Sequence, residues 1–156
     1  MRVLVDATVW SLALRRRRRQ LSQPERTAAL VLRDLLSRGL ALLIDPVRQE
    51  VLSGIKDDST FEALRQHLRW INNEVLTTDD FESAARCFNR CQSAGVAGYG
   101  TDMLLCAVAL RLDVPIWTTD ADFTDYSKLL PIRLPTTSQI AEELRNLNGG
   151  DEARQE

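Results

Sequence analysis

Apolar and polar positions change their spacing along this chain, and the changes predict alternating strands and helices. Continuous apolar runs of four or five residues are typical of buried strands, whereas apolar residues three or four positions apart are typical of one buried helix face. Strands are predicted at 2–6, 40–44, 74–77, 114–118 and 132–134. Helices are predicted at about 8–19, 24–39, 47–54, 59–70, 101–113 and 138–147. One more helix is predicted to begin after Thr78.

This alternation predicts an α/β fold. Strands that are joined by helices form a mostly parallel sheet, here of four to five strands, with helices on both faces. No repeat or low-complexity linker divides the chain, so one domain is expected over residues 1–147. The C-terminal tail, 148–156, is predicted to be disordered.

Large aromatic residues fall on the predicted apolar elements. Trp10, Trp70 and Trp117 are therefore expected in the core rather than on a base-stacking surface. Phe81 and Phe88 stand seven residues apart, which places them on one helix face, and they are also expected to be buried.

Composition narrows the possible chemistry. The 156 residues are 44% hydrophobic and 27% charged, which is typical of one globular domain. The single histidine, His67, excludes mechanisms that need two imidazoles and zinc sites rich in histidine. Three cysteines without a C-x-x-C pair are typical of a reduced, cytoplasmic protein. No apolar run approaches the roughly 18 residues that span a bilayer, so no membrane association is expected.

The net charge of the chain is −2, but the charged residues are distributed unevenly along it. Residues 1–38 hold nine arginines and three acids, whereas residues 39–156 hold eleven basic and nineteen acidic residues. Five of the arginines are consecutive: Arg15, Arg16, Arg17, Arg18 and Arg19. This run is interpreted as a solvated loop, as a contact to an RNA backbone, or as a contact to an acidic partner. If the run binds phosphates, replacing all five arginines with glutamine flattens the salt dependence of RNA binding.

Acidic residues stand beyond the carboxyl ends of the predicted strands, where a parallel sheet places its ligands. Asp6 ends the first strand, and Asp120 and Asp122 follow the fourth. Glu50 lies about one helical turn after the second strand, and Asp102 begins the apolar helix that leads into the fourth. Taken alone, each acid is as typical of a helix cap or a turn as of an active site. Together they predict one cluster of carboxylates.

Carboxylates that share a site repel each other, and a divalent cation removes that repulsion. Mg²⁺ and Mn²⁺ prefer carboxylate and water oxygens. Such a cation neutralises a phosphate, lowers the pKa of a bound water and stabilises the leaving oxygen, so no histidine base is needed. The cluster therefore predicts metal-dependent phosphate chemistry.

Four segments of the chain resemble the PIN-domain family of metal-dependent nucleases, most closely its VapC-type toxins. The segments are V-L-V-D-A-T-V-W from Val3, P-V-R-Q-E-V-L-S-G from Pro46, G-T-D-M-L-L-C-A-V-A from Gly100 and I-W-T-T-D-A-D-F from Ile116. The resemblance covers about residues 2–135 and implies a PIN-like three-layer α/β/α fold.

The same resemblance implies roles for individual residues. The residues implied to bind Mg²⁺ or Mn²⁺ and to orient the attacking water are Asp6, Glu50, Asp102 and Asp120. Asp122 is implied to be an outer ligand of the metal. Thr8 and Thr118 are implied to orient the acids by hydrogen bonds.

The resemblance implies a metal-dependent endoribonuclease that acts as the toxin of a VapBC-type toxin–antitoxin system. It also implies a homodimer and a small antitoxin whose tail covers the active site. Two other functions stay open: a catalytically silent RNA- or partner-binding module on the same fold, and a metal-dependent phosphatase with an aspartyl nucleophile. Such a phosphatase usually carries a D-x-D pair after its first strand, whereas Asp6 is followed by Ala7 and Thr8.

Overall fold

The computed structural model describes residues 1–14 and 18–152. The strands are β1 (Val3–Val5), β2 (Ala41–Ile44), β3 (Asn73–Glu74) and β4 (Ile116–Trp117). The helices are α1 (Ala7–Leu14), α2 (Gln23–Ser37), α3 (Asp45–Leu52), α4 (Asp58–Arg69), α5 (Thr78–Ser93), α6 (Gly100–Leu112), α7 (Asp122–Leu129) and α8 (Thr137–Glu152). A short 3₁₀ helix covers Arg18–Gln20.

β1 lies inside the sheet because it is apolar at every position. Val3, Leu4 and Val5 are fully buried, and β1 pairs in parallel with β2 on one side and with β4 on the other. β2 also pairs in parallel with β3, so the described residues form one sheet in the order β3-β2-β1-β4. This confirms the expected α/β class. It also brings the carboxyl ends of β1, β2 and β4 to one edge of the sheet.

Two strands differ from the prediction. β3 covers Asn73–Glu74 instead of 74–77. At 132–134 the described chain forms no strand, although the Ile116 backbone N–H donates one hydrogen bond of 2.9 Å to the Arg133 carbonyl. A single bond extends the edge of β4 without forming a ladder.

The helices differ from the prediction at three places. α1 ends at Leu14, and its predicted continuation crosses Arg15–Arg17, which lie outside the described residues. The sequence pattern does not predict α7. α8 continues to Glu152 instead of ending near 147, and residues 153–156 of the predicted tail lie outside the described chain. Within residues 1–14 and 18–152, no helix is both long and apolar enough to cross a membrane.

An ion pair between a buried carboxylate of α5 and a partly exposed arginine of α6 joins the two helices. Thr77, one residue before the predicted cap, caps α5 in a capping box with Asp80. Asp80 is 1% exposed, and its carboxylate accepts hydrogen bonds of 2.7 and 3.0 Å from Arg111 of α6. Burial alone would raise the pKa of Asp80, but the bonds from Arg111 and Thr77 outweigh it and lower the pKa.

The tryptophans divide between core and surface. Trp10 and Trp117 are buried, as predicted. Trp70 is 91% exposed, which makes the prediction of a core position wrong. It is the C-cap residue of α4, and it lies beyond the face that this helix buries through Leu64 and Leu68.

The prediction that Phe81 and Phe88 are buried is also wrong, since both are exposed on α5. The helix packs instead through a neighbouring stripe of small side chains, Ala84, Cys87 and Cys91. Small residues allow α6 to approach closely, and the two phenylalanines then flank the contact rather than fill it.

Candidate active site

Asp6 lies at the centre of the candidate site. It follows β1 directly and is 4% exposed. The backbone N–H of Ala7 donates to Asp6 Oδ1 (2.7 Å), and the hydroxyls of Thr8 and Thr118 both donate to Asp6 Oδ2 (2.8 Å each). Each carboxylate oxygen has two acceptor positions. Within the described residues, these bonds fill Oδ2, leave one position on Oδ1 and hold the carboxylate in one orientation.

Thr8 and Thr118 join two segments that are 110 residues apart in the chain. The Thr8 hydroxyl accepts from the backbone N–H of Thr119 (3.2 Å), and the Thr118 hydroxyl accepts from that of Asp120 (2.9 Å). Each threonine therefore gives its proton to Asp6 and its lone pair to the loop between β4 and α7. The two hydroxyls thereby fix the end of β1 against this loop.

Asp102 lies half-buried in the first turn of α6. Burial raises the pKa of Asp102 to about 7, and the hydrogen bond from the Tyr126 hydroxyl opposes the rise. The negative charges of Asp6, Asp120 and Glu50 raise it further. Because the charges of all three act on Asp102, the four predicted acids lie near enough to one another to interact electrostatically.

Glu50 reaches this site from α3. Partial burial raises the pKa of Glu50, a hydrogen bond with the Thr101 side chain lowers it, and the charge of Asp6 raises it again. Thr101 directly precedes Asp102 at the start of α6. Glu50 therefore faces the same edge of the sheet as Asp6.

Asp120 lies in the loop that follows β4, and Asp122 is the first residue of α7. The Asp122 backbone N–H donates to Asp120 Oδ1 (2.9 Å), which holds the Asp120 side chain in a tight turn. Asp122 is exposed and begins α7, where the helix dipole favours a carboxylate. The charge of Asp120, but not that of Asp122, raises the pKa of Asp102. Asp122 is therefore the outermost of the predicted acids.

The carboxylates of Asp6, Glu50, Asp102 and Asp120 have no cationic partner in the described part of the chain. They accept hydrogen bonds from neutral groups, and none pairs with lysine, arginine or histidine. Such uncompensated charge attracts a divalent cation. Among the same residues, no three acid, cysteine or histidine side chains are close enough to hold a metal ion by themselves. Mg²⁺ usually keeps several waters and binds through one or two carboxylates, so an open set of oxygen ligands fits it.

Only part of the arginine run can be placed. Arg15–Arg17 lie outside the described residues, whereas Arg18 and Arg19 begin the 3₁₀ helix and Arg19 is exposed. Arg19, Arg26 and Arg33 line a groove of about 660 Å³, whose other walls are mostly leucine and alanine side chains of α1 and α2. We call it the α1–α2 groove. It combines an apolar floor with positive charge.

Two side chains of the site, Tyr126 and Thr101, are not predicted from the sequence. Tyr126 stands four residues after Asp122, so a helix predicted at this point would have placed it one turn from the acidic loop. Thr101 is typical of a helix cap in the sequence, but the N-cap of α6 is Tyr99, and nothing in the spacing of Thr101 indicates its interaction with Glu50.

Comparison with known proteins supports the family suggested by the motifs. The family model described as "PIN domain" matches residues 3–129. The VapC ribonuclease Mb1587 of Mycobacterium bovis (strain ATCC BAA-935 / AF2122/97) is 33% identical over 100 residues, which cover 62% of this chain and 75% of that protein. Ribonuclease VapC11 of Mycobacterium tuberculosis (strain ATCC 25618 / H37Rv) matches with the same identity and coverage.

Solved structures share the fold at low sequence identity. FitAcB from Neisseria gonorrhoeae has a TM-score of 0.65 at 14% identity, over 86% of this chain and 97% of that chain. VapBC2 from Rickettsia felis, bound to a DNA fragment from their promoter, has a TM-score of 0.67 at 12% identity, over 86% of this chain and 98% of that chain. Because the PIN family model matches residues 3–129, which are most of the chain, this chain belongs to the PIN-domain family.

Proposed function

We propose that this PIN-domain protein is a metal-dependent endoribonuclease and the toxin of a VapBC-type toxin–antitoxin system. The observation that carries the proposal is the meeting of four acids from four chain segments, without a counter-ion, at the carboxyl edge of the sheet. PIN-domain ribonucleases are generally dependent on divalent metals. The mycobacterial relatives are named ribonucleases, which supports RNA as the substrate.

The residues that would hold Mg²⁺ or Mn²⁺ are Asp6, Glu50, Asp102 and Asp120, with Asp122 as an outer ligand. A bound cation supplies neutralisation of the scissile phosphate and a water of lowered pKa. The chain itself supplies the order of the site. Thr8 and Thr118 hold the Asp6 carboxylate in place, and the same hydroxyls keep the loop of Asp120 next to it.

Cleavage of RNA in Mn²⁺ or Mg²⁺ tests the proposal. Removing a group that only supports a metal ligand costs about 10- to 100-fold, so losing a ligand in Asp6→Asn or Asp102→Asn is expected to cost more than about 100-fold. Asp125→Asn is the matched control, because Asp125 is exposed on α7 and pairs with Lys128 outside the site. Chelation of the metal is expected to stop cleavage by the wild type and the control. Equal cleavage by all variants would identify a contaminating nuclease and refute the proposal.

One observation favours a second candidate, a catalytically silent RNA- or partner-binding module. The described acids do not form a ready-made cage for a metal. Calorimetry with Mn²⁺ separates the two functions, since a silent module would give no heat of binding. A phosphatase with Asp6 as nucleophile is disfavoured, because Ala7 and Thr8 follow Asp6 in place of the usual D-x-D pair.

The α1–α2 groove is the surface that we assign to the antitoxin. Its apolar floor and its arginines suit a segment with apolar side chains flanked by acids. α1 begins beside Asp6 and ends at this groove, and its eight residues span about 12 Å. A bound segment therefore needs only a short extension to cover the acids.

We assign the arginine run to the RNA backbone. Arg19 also lines the α1–α2 groove, so RNA and the antitoxin would compete for this residue. Each phosphate contact on a single strand contributes about 0.7 to the slope of log affinity against log salt concentration. Replacing Arg15–Arg19 with glutamine is expected to reduce that slope and to weaken RNA binding. An unchanged slope would show that the arginine run does not contact the RNA backbone. The run would then contact the antitoxin or solvent.

We also propose a homodimer and a cytoplasmic location. Phe81 and Phe88 border an apolar groove of about 440 Å³ between α5 and α6, which suits contact with a second copy. Cys87, Cys91 and Cys106 are all free and buried, as is typical of a protein in a reducing compartment. Serine at both phenylalanine positions is expected to halve the mass measured by light scattering.

A further inference from the structure

Tyr126 is a buried polar residue next to the acid site. It lies on α7, one turn after Asp122, and is fully buried. Its ring packs edge-on against Phe123, with the ring centres 5.3 Å apart and the planes at 70°. A buried tyrosine usually finds a partner for its hydroxyl, and the identity of the partner shows what the hydroxyl does.

The hydroxyl of Tyr126 has two acceptors and one proton. It lies 3.2 Å from Asp102 Oδ2 and 3.2 Å from the backbone carbonyl oxygen of Ala97. A carboxylate is the stronger acceptor, since hydrogen bonds to ionised groups are about twice as strong as those between neutral groups. The proton is therefore donated mainly to Asp102, and the Ala97 carbonyl is the alternative acceptor.

This bond distinguishes the two oxygens of the Asp102 carboxylate. Oδ2 accepts a hydrogen bond from Tyr126, whereas Oδ1 receives none from the described residues and keeps both of its acceptor positions free. The bond also links α6 to α7. α6 carries Asp102, and α7 begins with Asp122, two residues after Asp120.

We propose that Tyr126 is a positioning residue for Asp102: its hydroxyl fixes the rotation of the carboxylate and leaves Oδ1 as the oxygen for a divalent cation. The inference rests on the proposed metal-dependent function. Tyr126 does not touch the RNA or the cation in this role, and it acts only through Asp102. A purely structural tyrosine would affect stability but not the affinity for the metal.

The matched pair of variants is Tyr126→Phe and Tyr99→Phe. The chain has two tyrosines, and Tyr99 is 61% exposed. Each substitution removes one hydroxyl and keeps the ring. We expect Tyr126→Phe to raise the Kd for Mn²⁺, measured by calorimetry on the full chain, by about 10-fold, because losing a hydrogen bond to a ligand typically costs 10- to 100-fold. Tyr99→Phe is expected to keep the wild-type Kd.

The outcomes of this titration are distinct. A Kd for Tyr126→Phe within about twofold of the wild type, in a protein that melts as a folded domain, overturns the inference and leaves the proposed function standing. No Mn²⁺ binding by the wild type overturns both.

A second measurement keeps the hydroxyl in place and does not depend on the stability of the phenylalanine variant. The full chain is labelled with 3-fluorotyrosine, which gives two ¹⁹F resonances, and Tyr99→Phe assigns them. We expect Mg²⁺ to shift the Tyr126 resonance and to leave that of Tyr99 in place, and we expect the Asp102→Asn variant to lose the shift. A Tyr126 resonance that ignores saturating Mg²⁺, or that shifts equally in Asp102→Asn, overturns the inference.

Discussion

Replacing Thr118 with valine removes one hydroxyl and keeps the shape of the side chain. In the native structure this hydroxyl donates to Asp6 Oδ2 at 2.8 Å and accepts from the Asp120 backbone N–H at 2.9 Å. Asp6 is almost fully buried, so water does not replace the lost donor. The variant therefore removes both bonds by which Thr118 joins β1 to the loop after β4, whereas Thr8 still connects the two segments.

The expected loss of stability follows from these two bonds. A hydrogen bond to an ionised group contributes about 1.5–3 kcal/mol, and one between neutral groups contributes about 0.5–1.5 kcal/mol. The added methyl group offsets less than about 1 kcal/mol, because the position is only half-buried. The free energy of unfolding of Thr118→Val is therefore expected to fall by about 2 kcal/mol. With a urea slope of about 2 kcal/mol per molar, the midpoint moves down by about 1 M.

Urea unfolding followed by tryptophan fluorescence measures this change, since Trp10 and Trp117 are both buried. The buffer contains EDTA, so that metal binding does not contribute. Thr119→Val is the matched control, because Thr119 is exposed and its hydroxyl makes no hydrogen bond within the described residues. Its midpoint is expected to stay within about 0.25 M of the wild type. Equal midpoints for the two variants would refute the reasoning from the Asp6 geometry.

Two further changes probe the rest of the fold. Asp80→Asn is expected to cost about 2 kcal/mol at pH 7. The lowered pKa of Asp80 means that its bonds to Arg111 stabilise the protein fully above the unfolded value of 3.8 and are lost as the pH falls through the lower folded-state pKa. Urea titrations should therefore show the gap between variant and wild type narrowing below pH 3.8, and a constant gap would contradict this origin. Trp10→Ala is expected to lower the free energy of unfolding by about 3–5 kcal/mol, because the indole is fully buried and its N–H donates to a backbone carbonyl at 2.9 Å. Trp70→Ala is expected to lower it by less than about 0.5 kcal/mol, because Trp70 is exposed. Similar melting temperatures for the two variants would contradict the placement of Trp70.

The order of the elements and the place of the acids could be predicted from the sequence. β1 and β2 are apolar at every position, which is the signature of strands buried on both faces of a parallel sheet. Once the strands are parallel, their carboxyl ends meet at one edge, and residues that follow them meet as well. This rule alone was sufficient to predict that Asp6 and Asp120 lie at the same edge of the sheet. The roles of these acids in catalysis stay predictions for the cleavage assay.

The buried face of α5 and the presence of α7 could not be predicted, because they depend on which neighbouring element each helix packs against. α5 carries two candidate faces, one with Phe81 and Phe88 and one with Ala84, Cys87 and Cys91. The larger side chains have the stronger apolar signal, yet the smaller ones are buried because they allow α6 to pack closely. α7 escaped prediction because its eight residues contain only two buried side chains, Phe123 and Tyr126. A single helical repeat does not establish a period.

The bond between Thr118 and Asp6 spans 112 positions of the chain, and this separation has a consequence for synthesis on the ribosome. β1 emerges first, but its neighbour β4 and the loop with Asp120 emerge only after most of the protein has been made. Contacts this distant in sequence form late, because the intervening chain must exist before it can close the loop. A chain in mid-translation therefore carries Asp6 without Thr118 and Asp102 without Tyr126. The order of synthesis therefore delays completion of the acid site until the chain has been made at least as far as Tyr126.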